Sequence, residues 1–365
     1  MSGVGWKQDF AIGGRSFPYG ATLIVAALLY FLCARLGLAF ATLQESASPV
    51  WPASGFAVAL LIVAGPRAWP AVALGAFSAN VLTGGVLSAG FITLGNTAEA
   101  LAGMWLFNRI SAINPGYLPI ARSSGFVLAA LSAPLASAGV GVLTLLGLDA
   151  LGDSGAGGVF VTWWAGDMLG ILLLAPALVA IQFRTGGQTS SEALADRPRD
   201  LRFLRLRRIV IIGALAFGST AMAFTGSDWA GAFILAFPVI LLGARWFGSR
   251  GSTLTLLLIA ALWLAGTLHG ISHGDMSGAG PFADRTANDA LLNMQIMLAA
   301  LVYALVRNAN QPESHPLMWP MFVCWGVLLL LCRPVRKSSN LLTIIYLLAP
   351  PLVVAVLGAI NAGLK

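Results

Sequence analysis

Apolar runs of about 20 residues recur along almost the whole of this 365-residue chain. That spacing limits the fold more than any other feature. A helix needs about 20 apolar residues to cross roughly 30 Å of hydrocarbon. Inside the bilayer every backbone N–H and C=O must be satisfied without water, so repeated long runs mean helices packed as a bundle. Only 10% of the residues are charged, against about 25% in soluble domains, which leaves too little polar sequence for a second, soluble domain. The expected class is all-α, a polytopic transmembrane helix bundle. Its spans are read at 19–41, 50–65, 68–84, 88–108, 125–147, 158–182, 209–226, 230–246, 252–268 and 289–306, about ten helices, followed by a C-terminal pair of apolar segments at 318–332 and 341–362. Residues 1–18 form a cytoplasmic N-terminal segment, 19–308 the transmembrane domain and 309–365 a C-terminal extension. The run from Tyr19 to Ala41 is too long for the apolar core of a cleavable signal and has no small-x-small site soon after it.

Short loops between the runs carry the basic residues, and these orient the helices by the positive-inside rule. With Lys7 and Arg15 in the cytoplasm, Arg67, Arg109, Arg122, Arg245, Arg250 and Arg307 also fall inside. So does the polar stretch 184–208 with Arg197, Arg199, Arg202, Arg205, Arg207 and Arg208. Glu45, Asp149, Asp153, Asp228, Asp275 and Asp284 fall outside. This pattern is that of a multi-pass protein of a bacterial-type inner membrane. The tail departs from it: Arg333, Arg336 and Lys337 lie outside if 318–332 spans, and a re-entrant segment is the alternative. The net charge of +7 is accounted for by these loops, and no basic stripe interleaved with aromatics points to nucleic acid. The Arg-rich stretch suits anionic lipid headgroups or an acidic partner as well as topological anchoring.

Chemistry-bearing residues are few. Cys33, Cys324 and Cys332 lie in or beside apolar runs without a CxxC, and read as packing residues. His269, His273 and Asp275 share a Gly-rich loop too loose to hold a metal rigidly, so no metal or cofactor is expected. Motifs for a serine hydrolase, zinc protease, phosphate loop or dinucleotide fold are absent, and no enzyme activity is expected. What stands out is ionisable groups inside apolar spans, which cost about 2.5–3.5 kcal/mol each on insertion scales and so face a cavity or a partner. These are Arg35, Glu99 and Asp167, with polar company from Asn80, Asn96, Asn293 and Gln295. Asn96, Glu99 and Gly103 share one helix face. Trp163 and Trp164 precede Asp167 by four and three residues, and Gly166 and Gly170 form a small-xxx-small pair that favours close helix packing. The functional reading is a ligand pocket in the outer half of the bundle, lined by Trp51, Asn80, Asn96, Glu99, Trp163, Trp164 and Asp167, with Arg35 as counter-charge. The plainer reading is interhelical hydrogen bonding plus interfacial tryptophan anchors.

Five segments taken in order suggest a family. Ser48-Pro49-Val50-Trp51-Pro52-Ala53-Ser54-Gly55 precedes Gly65-Pro66-Arg67-Ala68-Trp69-Pro70. Gly75-Ala76-Phe77 with Asn80 follows, then Gly95-Asn96-Thr97-Ala98-Glu99-Ala100-Leu101, and then Trp163-Trp164-Ala165-Gly166-Asp167-Met168-Leu169-Gly170 with Ala175-Pro176. Together they resemble the MASE1 family of membrane-embedded sensory domains, most densely over 30–180. The resemblance implies an input module of the kind found ahead of histidine kinases, diguanylate cyclases and cyclic-di-GMP phosphodiesterases. No GGDEF, EAL or kinase core follows residue 310, so the expectation is a sensory or ligand-binding membrane protein that signals through a separate partner and takes an unknown small ligand. A transporter, or transporter subunit, with intramembrane carboxylates is the alternative, and a structural subunit of a membrane complex is a third reading.

Overall fold

In the computed structural model, the described residues are 9–12, 15–39, 48, 50–113, 124–151, 155–182, 199–224 and 236–272. The chain divides into two compact units, Met1–Val302 and Tyr303–Lys365, and all the described residues lie in the first. The expected helix at 289–306, the apolar segments at 318–332 and 341–362, and Arg197 fall outside them.

Eight helices are seen among the described residues: α1 (Tyr19–Leu38), α2 (Pro52–Ala64), α3 (Trp69–Ile113), α4 (Ser124–Ser132), α5 (Pro134–Gly147), α6 (Ala156–Gln182), α7 (Arg199–Phe224) and α8 (Ala236–Ser272). Among the described residues, four stretches are long and apolar enough to cross a membrane: Tyr19–Leu38, Pro66–Arg109, Phe126–Gly147 and Ala156–Val179. A straight α3 of 45 residues would reach about 67 Å at 1.5 Å per residue, over twice the hydrocarbon thickness. It is broken at Gly85, whose φ of 77° and ψ of 175° lie in a region open only to glycine. The break falls between the spans expected at 68–84 and 88–108.

The helix α8 likewise doubles back. A β carbon added at Gly251 would collide with the carbonyl oxygen of Gly243, whereas eight residues of straight helix would separate the two by about 12 Å. Two expected spans, 230–246 and 252–268, therefore meet at a glycine pair inside one continuous helical hairpin. The span expected at 125–147 is interrupted at Ala133, because Pro134 has no N–H to continue the ladder. The polar stretch expected to be a loop as far as Arg208 is helical from Arg199 onward. Leu201, Phe203, Leu204 and Leu206 alternate there with arginines, and Leu and Arg are both strong helix formers.

A short hairpin, β1 (Phe10–Ile12) with β2 (Arg15–Phe17), precedes α1, pairing Phe10 with Phe17 and Ile12 with Arg15. The sequence carries its signal as Gly13-Gly14 between the strands, and two-residue glycine turns suit hairpins. Phe10 is buried and stacks on Tyr19 with ring centroids 5.2 Å apart. The Arg67 guanidinium sits 5.3 Å over the Phe10 ring, and the Tyr19 hydroxyl donates to the Arg67 carbonyl at 3.3 Å. The start of α1 and the α2–α3 turn thus share one end of the bundle, as alternating spans require. The core behind them joins α1, α2 and both halves of α3 through Tyr30, Ala57, Leu61, Val72 and Ala100. Ile24, Leu28 and Leu32 on α1 and Leu82, Val86 and Leu94 on α3 face outward, as lipid-facing side chains do.

Candidate functional site

Glycines set how closely the helices approach, and so where the polar side chains meet. At Gly55 a β carbon would collide with the Gly170 carbonyl, and at Gly170 with the carbonyl of Trp51. The Trp51 N–H donates to the Gly166 carbonyl at 3.0 Å. The start of α2 therefore lies directly on the Gly166–Gly170 face of α6, the close packing expected of a small-xxx-small pair. Asp167 is carried into that joint. Ser54, in the first turn of α2, donates to Asp167 Oδ1 at 3.1 Å, and Ser137 of α5 donates to Asp167 Oδ2 at 2.5 Å. The carboxyl also faces the N-terminus of α2, where the helix dipole favours negative charge.

The second half of α3 brings the other carboxyl. Gly95 packs against Ser137 and Val140 of α5, and Gly103 against Val58 of α2. The face shared by Asn96, Glu99 and Gly103 is therefore turned inward, as the spacing predicts. Glu99 stands beside Asp167, Ser54 and Ser137, near enough for the two carboxyls to interact directly. Neither Glu99 oxygen has a hydrogen bond of sound geometry. Tyr30 reaches the same place from α1, at the point where Gly75 of α3 lies against Ala27 and Tyr30. Its hydroxyl is near Trp51, Asn96 and both carboxyls, yet it too is unpartnered, as are Trp51 Nε1 and both polar atoms of the Asn96 amide. Trp51, Tyr30, Asn96, Ser54, Glu99, Ser137 and Asp167 are all at most 6% exposed.

Buried polar atoms are nearly always hydrogen-bonded, and leaving one unmade costs about 1–3 kcal/mol. Five elements converge here on six unmade side-chain polar atoms, those of Tyr30, Trp51, Asn96 and Glu99. No cationic side chain among the described residues contacts either carboxyl.

The cluster brings together Trp51, Asn96, Glu99 and Asp167 from the residues singled out in the sequence, and leaves the rest elsewhere. Arg35 is exposed near the end of α1 and is no counter-charge to the buried pair; its long side chain reaches outward instead. Asn80 is buried, but its amide donates at 2.8 Å to the Ala76 carbonyl of its own helix. Trp163 does not cover Asp167: it fills the gap at Gly141 of α5, packed with Ile92, Ala138 and Val142. Trp164 donates at 2.9 Å to the Leu131 carbonyl, tying α6 to α4. Tryptophans three and four residues before Asp167 share its broad face, but the indoles extend along the helix toward its N-terminus and away from the carboxyl.

Three members of the cluster, Tyr30, Ser54 and Ser137, were not singled out. A tyrosine hydroxyl inside an apolar span was the available signal for Tyr30. Ser54 stood within the Trp-Pro-Ala-Ser-Gly segment, and Ser137 carried no signal beyond its small neighbours. Of the basic residues, Arg205, Arg207 and Arg208 are exposed on the first turns of α7. The Arg208 guanidinium lies 5.7 Å over the Trp246 ring of α8. Arg199 and Arg202 are on the same helical turns. His269 is exposed in the last turn of α8, while His273 and Asp275 fall outside the described residues.

No curated protein and no solved structure matches the chain. The MASE1 family model matches residues 22–306 of the 365, a stretch that takes in every member of the buried cluster. The protein is a membrane protein, and on the length of that match it belongs to the MASE1 family of membrane-associated sensor domains.

Proposed function

We propose that this protein is a multi-pass sensor of the inner membrane in which a small solute occupies the cluster of Tyr30, Trp51, Asn96, Glu99 and Asp167, and that the resulting helix shift is passed to a separate cytoplasmic signalling partner. The observation that carries the reading is the set of unmade hydrogen bonds around two buried carboxyls. A purely structural network is expected to be closed, as the bonds of Asn80 and Trp164 are. Open groups in a packed interior suit an occupant that completes them.

A sensor needs the solute to favour one arrangement of the helices over another. The cluster draws on α1, α2, both sides of the α2–α6 joint, α3 and α5, so its occupancy bears on how these helices sit together. Basic turns of α7 and the end of the bundle held by Tyr19 and Arg67 supply a cytoplasmic surface on which a shift is read. Family membership supports the sensory part of this reading. The transporter alternative rests on the same carboxyls. Proteoliposome uptake of the identified solute separates the two, since a sensor moves none.

The test is native mass spectrometry of the full chain, purified in detergent and dialysed against a total small-solute extract of cells. An adduct is expected on the wild type and is expected to be lost in Glu99→Gln and Asp167→Asn. An adduct that survives both substitutions, or no adduct at all, defeats the proposal.

A further inference from the structure

One end of the bundle gathers more positive charge than orienting its helices requires. A single arginine, Arg67, serves the turn between α2 and α3. By contrast, α7 carries Arg199, Arg202, Arg205, Arg207 and Arg208 at its start, with Asp200 as its one acid. The neighbouring helix α8 carries Arg245 and Arg250 at its bend and no acid at all.

Packing brings these two groups together. The helix α7 lies along α8, with Ile212 and Ala216 buried. Arg205 and Arg208 precede Ile212 by seven and four residues, so they continue the same helix face beyond the contact. The Arg208 guanidinium reaches across to lie 5.7 Å over the Trp246 ring. Arg245, next to that tryptophan, is exposed, and so is Arg205. The close approach of Gly243 and Gly251 makes the bend tight and places Arg245 and Trp246 at its tip. Among the described residues no carboxylate pairs with Arg205, Arg208 or Arg245. A guanidinium over an indole still carries N–H donors in its own plane for an anion.

The surroundings decide between kinds of anion. Leu206, Ile209 and Val210, interleaved with the arginines, are 59%, 52% and 60% exposed. In a membrane-spanning helix such side chains lie against acyl chains, which sets Arg205 and Arg208 at the depth of the lipid headgroups. Tryptophan favours that depth too, as does an arginine whose stem runs over apolar surface. An acidic protein in water would leave the apolar side chains uncovered, whereas an amphiphile answers both parts. Its phosphate matches the guanidinium fork, and its tail lies along Ile209 and Val210.

We propose that the start of α7 and the bend of α8 form a binding surface for an anionic phospholipid, its phosphate held by Arg205, Arg208 and Arg245. The lipid then ties α7 to α8 at this end of the bundle.

The experiment is native mass spectrometry of the full chain in detergent, titrated with short-chain phosphatidylglycerol or with phosphatidylcholine of the same chain length. The two share a phosphate and differ in net charge. Phosphatidylglycerol is expected to bind at least about tenfold more tightly, since each arginine at a membrane surface contributes roughly fivefold. Arg205→Gln, Arg208→Gln and Arg245→Gln together should weaken phosphatidylglycerol by about 100-fold and leave phosphatidylcholine unchanged. Arg245→Gln alone, at an exposed position, should cost about fivefold and serves if the triple variant does not fold. Arg35→Gln with Arg109→Gln removes charge elsewhere and should leave the preference intact. Equal affinity for the two lipids, or a comparable loss in the Arg35 and Arg109 variant, overturns the proposal. So does full competition by glycerol 3-phosphate at matched concentration, which would mean a site for soluble phosphates. Binding of poly-glutamate in place of phosphatidylglycerol would overturn it in favour of an acidic protein.

Discussion

Two regions of α6, barely one turn apart, are built on opposite terms. Around Trp163 the helix is finished: the indole fills the space at Gly141, and Trp164 closes its N–H on the Leu131 carbonyl. Around Asp167 the packing is just as close, with Gly170 against Trp51 and Gly55, but polar atoms of Glu99, Asn96, Trp51 and Tyr30 are left open. Density is therefore not what separates scaffold from site in this bundle. What marks the Asp167 region is that six open polar atoms gather in one place, whereas elsewhere the open groups are single hydroxyls such as those of Thr93, Thr97 and Thr267. A sequence places Trp163, Trp164 and Asp167 in one motif, whereas the structure assigns the tryptophans to holding α4, α5 and α6 together and the carboxyl to a shared polar centre.

The contrast makes opposite predictions for the two regions. Trp163→Ala should give the largest loss of stability, about 3–5 kcal/mol by thermal unfolding in nanodiscs, because it opens a cavity against Gly141 and Ile92. The small-solute adduct should persist in whatever fraction remains folded, and a selective loss of the adduct without a loss of stability would put Trp163 back in the site. Gly170→Ala should cost about 1–3 kcal/mol, since its β carbon has only the Trp51 backbone to press upon. Here the adduct should weaken as well, because the same contact carries Ser54 to Asp167.

Glu99→Gln reverses the sign. Replacing a buried acid whose oxygens have no partner should leave stability unchanged or raise it by about 1 kcal/mol in the absence of solute, while the adduct is lost. A clear loss of stability instead would mean that Glu99 holds the bundle together, and the contrast would fail. Trp164→Phe deletes one hydrogen bond and should cost about 1 kcal/mol, with binding intact. Arg35→Gln should change stability by less than about 0.5 kcal/mol and leave binding unaltered. A large effect on binding there would restore the counter-charge that the outward-facing side chain argues against.

Much of this architecture was legible in order along the chain. Among the described residues, apolar run length marked most of the helices, and Gly85 and Gly251 fall where turns between runs were expected, whereas Gly243 lies inside the span expected at 230–246. The extent of α7 was misread because a dense charge run was taken for a loop, although its leucines and arginines favour helix. The N-terminal hairpin escaped notice because three-residue strands are too short to show a period.

Run length and charge are local quantities, so the sequence alone determined an all-α membrane bundle and its family. The costly carboxyls at 99 and 167 were also visible, because the expense of an acid in an apolar span does not depend on its neighbours. Which groups meet depends on rotation about each helix axis and on glycines that let particular backbones touch. Only the tertiary structure could put Tyr30, Ser54 and Ser137 beside the acids, turn Arg35 outward and close Asn80 and Trp164 on carbonyls. Those outcomes arise from contacts between helices up to 113 residues apart in the chain, as for Ser54 and Asp167, a separation at which no periodicity carries information.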